Sequence, residues 1–175
     1  MLAKAVWISS ERLKLRPLGA ADAAAVLEGL NDPFIATWLA TTPFPYPADA
    51  LQDYLARAPE GETFAIHDGE GFAGLIGAGE ELGFWIARRA QGRGYAKEAA
   101  TTLLRAVFEF YPGPMRAGYF AGNHASARVL ASLGFVPSGR GKRANLALGI
   151  KLDHIDLTLS RSDFHALHGG LPPFA

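Results

Sequence analysis

Glu81-Leu82-Gly83-Phe84-Trp85-Ile86-Ala87-Arg88-Arg89-Ala90-Gln91-Gly92-Arg93-Gly94-Tyr95-Ala96 reads as a strand, a glycine-bearing turn and the opening of a long helix. Aromatic and branched residues over 81–87 suit a pleated, buried strand. Beyond Gly94, the residues Ala99, Ala100, Leu103, Leu104, Val107 and Phe108 recur at helical spacing as far as Phe110. Gly92 and Gly94 let the backbone come close to a ligand. The first helical turn after them offers unpaired N–H groups and the positive end of the helix dipole. A pyrophosphate suits such a site, and so does a plain turn with no ligand, because short glycine motifs are common. Two familiar phosphate loops do not fit. The dinucleotide fingerprint asks for a third glycine where Lys97 stands, and the nucleotide-triphosphate loop needs a Gly-Lys-Ser/Thr sequence that is missing here.

Toward the N-terminus, strands are expected at 63–67 and 72–77. Asp68-Gly69-Glu70-Gly71 turns between them, and Ala78-Gly79 leads into the strand at 81–87. Connections this short imply an antiparallel meander. Residues 49–58 read as a helix. Residues 41–47 hold three prolines, two aromatics and two threonines, an irregular, stiff loop that is either a surface connection or a wall facing a substrate. Asp32-Pro33 opens a short helix reaching about Leu39. Asp22 precedes an Ala/Leu-rich helix to Leu30. The alternation Arg12-Leu13-Lys14-Leu15-Arg16 is a first strand stopped by Pro17.

Toward the C-terminus, Pro112-Gly113-Pro114 ends the long helix. A strand follows at 115–121, then a helix at 125–133 with Gly134 as a left-handed cap. The stretch from Val136 onward and residues 153–159 supply the last strands, and the proline-rich tail is expected to be poorly ordered. The element order gives an α/β protein of the α+β kind, a mixed sheet with helices on its faces.

The 175 residues fit a single domain, 1–175, with 170–175 as a flexible tail. Apolar residues make up 49% and charged ones 19%, enough for a core and too apolar for disorder. Lys and Arg number 17, as do Asp and Glu. This zero balance gives no general attraction to nucleic acid. Cysteine is absent, which excludes disulfides, thiolate metal sites and a cysteine nucleophile. No stretch approaches the ~18 apolar residues of a membrane span, and the N-terminus has no long apolar signal region. A cytoplasmic protein with no membrane partner is expected, as a monomer or homodimer.

Gln91-Gly92-Arg93-Gly94-Tyr95-Ala96 resembles the Gln/Arg-x-x-Gly-x-Gly/Ala signature of the GNAT acetyltransferase superfamily. Gly83-Phe84-Trp85-Ile86 before it and Tyr95-Ala96-Lys97-Glu98-Ala99 across it look like the ribosomal-protein N-terminal acetyltransferase branch. So does an Asn-x-x-Ser-x-x-x-Leu-x-x-x-Gly-Phe element, present as Asn123, Ser126, Leu130, Gly134 and Phe135. The resemblance runs from Arg12 to Leu159. It implies a mixed, mainly antiparallel sheet of about six or seven strands with helices on both faces. Two neighbouring parallel strands, 81–87 and 115–121, would splay apart to form a cofactor cleft.

The same resemblance implies that acetyl-CoA is the cosubstrate; no metal is expected, since no other close ligand cluster accompanies Asp153-His154. Its pantetheine amides would lie on the backbone of Trp85, Ile86 and Ala87. Its pyrophosphate would lie on N–H groups from Gly92 through Arg93, Gly94, Tyr95 and Ala96 to Lys97. Gln91 would be the signature's polar side chain, with Arg93 and Lys97 adding positive charge. Asn123 would hydrogen-bond the pantetheine arm, and it equally suits a helix N-cap. Arg128 would reach the phosphates or stand as a solvated helix residue.

The implied chemistry is attack of a neutral amine on a thioester. Many relatives place an acidic tyrosine where Leu130 stands, so Ser126, one helical turn after Asn123, is the expected donor to the departing sulfur. Glu81 is the first choice of base, directly or through water, ahead of Glu80 and His154. The expected function is an N-acetyltransferase acting by direct attack in a ternary complex. Its acceptor would be a peptide or protein N-terminus or a small-molecule amine. An antibiotic- or polyamine-type acetyltransferase and a non-catalytic acyl-CoA-binding module stay open as alternatives.

Overall fold

Apolar residues at alternate positions of one strand face two different helical layers. Along β5 (Glu81–Ile86), Leu82 enters one core and Trp85 another. This alternation sets the architecture of the computed structural model, which describes residues 7–57 and 61–169. The expected tail at 170–175 and the end of the helix expected at 49–58 lie outside the described residues.

The strands are β1 (Ile8–Ser9), β2 (Lys14–Pro17), β3 (Thr63–Asp68), β4 (Gly71–Ala78), β5, β6 (Met115–Phe120), β7 (Val136–Asn145) and β8 (Ile150–Leu159). They form one eight-stranded sheet in the order β1-β2-β3-β4-β5-β6-β8-β7. The sheet has more strands than the six or seven expected, because the two-residue β1 folds back on β2 through Ile8↔Leu15 and Ser9↔Lys14. A strand that short carries no alternation to read. Neighbours are antiparallel except β5 and β6, which are parallel.

One face of the sheet carries α4 (Tyr95–Phe110), α5 (His124–Leu133) and α6 (Arg161–His168). Leu103, Leu104 and Phe108 of α4 pack there with Phe64, Ile76, Leu133 and Phe164, each such side chain contributing about 1.5–3 kcal/mol by leaving water. The other face carries α1 (Ala23–Leu30), α2 (Pro33–Ala36) and α3 (Ala48–Arg57), where Val26, Leu30, Ile35 and Leu51 surround Trp85. Gly29 of α1 makes room for that indole, since a Cβ there would lie 2.3 Å from it.

The start of α1 is held differently from a simple cap. Asp22 is buried and accepts hydrogen bonds from Arg16 Nη2 at 2.7 Å and Gly19 N at 3.2 Å, fastening the helix to β2. The α2 helix opens as its sequence implies, with Asp32 accepting from Phe34 N at 2.9 Å and Pro33 in the first turn. It ends at Ala36, short of the expected Leu39. The sequence reading passed over α6, although Ser160 and Asp163 form the S-x-x-D pattern of a helix start. Ser160 Oγ accepts from Asp163 N at 3.1 Å.

The feature that positions the site is a local failure of pairing. β5 and β6 pair only through Glu81↔Arg116 and Leu82↔Ala117. β5 stays paired to β4 as far as Ile86, and β6 stays paired to β8 as far as Phe120. The two parallel strands therefore part after Leu82 while each remains anchored on its outer side.

Candidate active site

Past Leu82, β5 has no strand on its β6 side among the described residues. Backbone N–H and C=O groups along such an edge seek hydrogen-bond partners. The chain then passes through the tight turn Arg88–Ala90 to Gly92 and Gly94, with φ of +75° and +79°. Gly94 is the N-cap of α4 and offers no side-chain acceptor. The N–H groups of Tyr95, Ala96 and Lys97 thus open toward the turn. The sixteen-residue helix behind them adds the positive end of its dipole. An extended chain of amides ending in a pyrophosphate fits this succession of free strand edge and helix N-terminus.

Side chains around the turn mainly brace it. Gln91 Nε2 donates to Ile86 O at 2.9 Å, tying the turn to the end of β5. Arg89 donates to both Asp68 oxygens at 3.0 Å and to Phe72 O. Arg93 departs from expectation. Its guanidinium bonds Glu70 at 2.7 Å, which raises its pKa, so its charge is committed to the β3–β4 turn. Its carbonyl accepts from Arg12 Nη1 at 3.1 Å. Lys97 is the exposed cation in the first turn of α4.

Across the opening, Asn123 follows β6 and caps α5. Its Oδ1 accepts from Ser126 N at 3.1 Å, leaving Nδ2 as the group with which it can donate to a ligand. Ser126 is half-buried one turn along, Leu130 is buried beyond it, and Arg128 is exposed. The helix cap thus brings Asn123 and Ser126 together, as their spacing implies.

Beside β5, on the α1–α3 face, lies a cavity of about 420 Å³. Thr41, Thr42 and Tyr46 of the proline-rich loop form part of its wall, as do Glu62, Glu81, Gly83 and Trp85. Glu81 is held by a residue the sequence reading missed. Arg143 Nη1 and Nη2 of β7 donate to the two Glu81 oxygens at 3.1 and 3.0 Å, and Nη2 also reaches Asp156 Oδ1 at 2.9 Å. These hydrogen bonds hold the Glu81 carboxyl below the usual range. The signal available for Arg143 was the basic run Arg140-Gly141-Lys142-Arg143 opposite the acidic Asp153-His154-Ile155-Asp156. A bulge between Pro137 and Gly139 hides which residues face each other. His154 is buried, its Nδ1 3.0 Å from Asp156 Oδ1; burial and then the charge of Arg143 lower its pKa. Glu80 is fully exposed near Arg116.

Residues 12–136 match the family described as the acetyltransferase (GNAT) domain. Among solved structures, one from T. thermophilus, provisionally described as an acetyltransferase, shares 26% identity with a TM-score of 0.80, covering 95% of each chain. The ribosomal-protein-S5-alanine acetyltransferase of Vibrio fischeri shares 20% identity at TM-score 0.76, covering 91% of this chain and 98% of that one. Spermidine N-acetyltransferase of Vibrio cholerae, solved with CoA and spermine, shares 20% at 0.74, covering 89% and 99%. At 20% identity the last two establish a common fold. No curated protein matches the chain.

Proposed function

The chain belongs to the GNAT acetyltransferase family, and from that premise we propose that it moves the acetyl group of acetyl-CoA directly to a primary amine. The amine sits on a peptide or protein N-terminus or on a small molecule. One observation carries the reading: β5 parts from β6 after Leu82, between a backbone cradle on one side and the cavity that Glu81 lines on the other. In this reading the enzyme is cytoplasmic, acts as a monomer or homodimer, and needs no nucleic-acid or membrane partner.

Acetyl-CoA supplies a thioester electrophile and a thiolate leaving group. Of the backbone positions Trp85, Ile86 and Ala87, the Ala87 N–H donates to Ala73 O at 2.8 Å and the Ile86 carbonyl accepts from Gln91, so the Ile86 N–H on the open edge of β5 is the donor to the amides of acetyl-CoA. N–H groups of residues 92–97 take the pyrophosphate, with Lys97 and Arg128 adding charge. Gln91 holds the turn in shape, and Asn123 donates through Nδ2. Glu81, ionised at neutral pH, attracts the acceptor ammonium and takes up its proton through water. The neutral nitrogen then forms the C–N bond as the C–S bond breaks. Ser126 donates to sulfur as negative charge develops there. The amide nitrogen sheds its remaining excess proton, and the thiolate gains one. Free CoA and an acetylated amine result.

The chain has no cysteine to carry an acyl group, and in this reading both substrates are bound together when transfer occurs. An initial-rate grid in acetyl-CoA and amine should give intersecting double-reciprocal lines. Parallel lines would point to an acyl-enzyme and remove the direct-transfer mechanism.

A further inference from the structure

We infer that the acceptor is a primary amine carried on one bulky apolar body, aromatic or branched-aliphatic, rather than a polyamine or an N-terminus with a small first residue. This rests on the acetyl-transfer reading above and concerns the cavity beside β5. At about 420 Å³ the cavity has the size of a small-molecule pocket. Its inner wall is apolar: the partly exposed Leu18, Leu39, Tyr46 and Leu75 line it over the buried Val26 and Trp85. A ligand that fills such a wall gains by removing apolar surface from water. A small one leaves the wall without contacts.

Charge narrows the choice further. The charged side chains among the described lining residues are Glu62 and Glu81. Glu81 is already bonded through both oxygens to Arg143. That arrangement suits one ammonium group and falls short for a polyamine, whose several charges each need a partner when desolvated.

Gly83 shows where the body lies. It pairs with Gly77 across β4 and β5, and a Cβ built on it meets nothing within 4 Å. Glycine weakens a strand interior and marks places where something else approaches closely. Gly83 directly follows Leu82, the last residue of β5 paired to β6. The open space therefore adjoins the strand edge where the thioester would be held.

The test measures CoA release by the full-length protein with acetyl-CoA and four acceptors: 2-phenylethylamine, a Phe-initiated tripeptide, an Ala-initiated tripeptide and spermidine. The first two separate a free amine from a peptide N-terminus. At least one of them should exceed both the Ala peptide and spermidine in kcat/KM by ~10-fold or more, the order expected for added apolar groups in a fitting pocket. Spermidine or the Ala peptide at equal or greater efficiency overturns this inference alone. No release with any of the four, with acetyl-CoA still bound in calorimetry, overturns the transfer reading and this inference together. Gly83→Leu, which fills the open space, should lower kcat/KM for the best amine by ~10-fold or more while acetyl-CoA affinity stays within ~2-fold. Unchanged kcat/KM in a folded Gly83→Leu protein overturns the inference. Should that variant not fold, the acceptor ranking decides.

Discussion

The two sides of the opening beside β5 are built by different means. The proposed cofactor side is backbone: a strand edge, two glycines with positive φ and the first turn of α4, all within residues 84–97. The acceptor side is made of side chains from α1, α3, β3, β4, β5 and the 41–47 loop, with Arg143 of β7 reaching in behind Glu81. A backbone cradle depends on conformation and tolerates many side chains. A wall of side chains depends on the register of every element that contributes to it. The first should therefore fail through changes at a few glycines, and the second should be tuned by many residues.

The largest effect is expected at the cradle. Gly94 sits at φ +79°, where a residue with a Cβ is strained by about 1–2 kcal/mol. Gly94→Glu also puts negative charge at the phosphate seat. Acetyl-CoA affinity should fall by ~100-fold or more while circular dichroism stays native, the added charge outweighing the strain. Unchanged calorimetric affinity would break the comparison on its backbone side. Next, Ser126→Ala should lower kcat by roughly 10²-fold with little change in acetyl-CoA affinity, the proposed role of the hydroxyl being to donate to sulfur in the transition state. Full kcat would mean that the sulfur is protonated elsewhere.

Effects on the acceptor side should be smaller and should appear in the pH dependence. Arg143 holds Glu81 below the usual carboxylate range, so Arg143→Gln lets Glu81 titrate at higher pH. The acidic limb of kcat/KM should move upward in pH, and Glu81→Gln should flatten it. Profiles matching the wild type would assign the proton to another acceptor, with His154 the next variant to test. The smallest effect is on stability. A carboxyl whose folded pKa is depressed stabilises above its unfolded pKa of about 4.3 and loses that contribution as pH falls through the folded value. Both partners are about a third exposed or more, so the pair contributes at most about 1 kcal/mol. The stability gap between wild type and Arg143→Gln in urea should close as the pH drops below the carboxylate range. A gap that persists in acid would show that the pair is not its source.

What the sequence disclosed follows the same division. The meander, the long α4, the Asn123–Ser126 cap and the glycine turn are local, and periodicity or turn chemistry reveals them. The residues between Thr41 and Pro47 could be read as a stiff loop with aromatics, and Tyr46 does line the cavity. Arg143 could not be assigned, because its place opposite Glu81 depends on how β7 crosses from beyond β8 after a bulge. Arg93 looked like a phosphate ligand because it lies within the motif. Its engagement with Glu70 depends on the β3–β4 turn packing beside the motif, which sequence spacing does not reveal.

The most direct test of acetyl transfer weighs what is made against what is released. The wild-type protein is incubated with acetyl-CoA and 2-phenylethylamine. Free thiol is titrated, and both amine and protein are examined by mass spectrometry. Direct transfer predicts acetylated amine in equal amount to free CoA, with the mass of the protein unchanged. CoA released without acetylated amine, or acetyl groups accumulating on the protein itself, would contradict it.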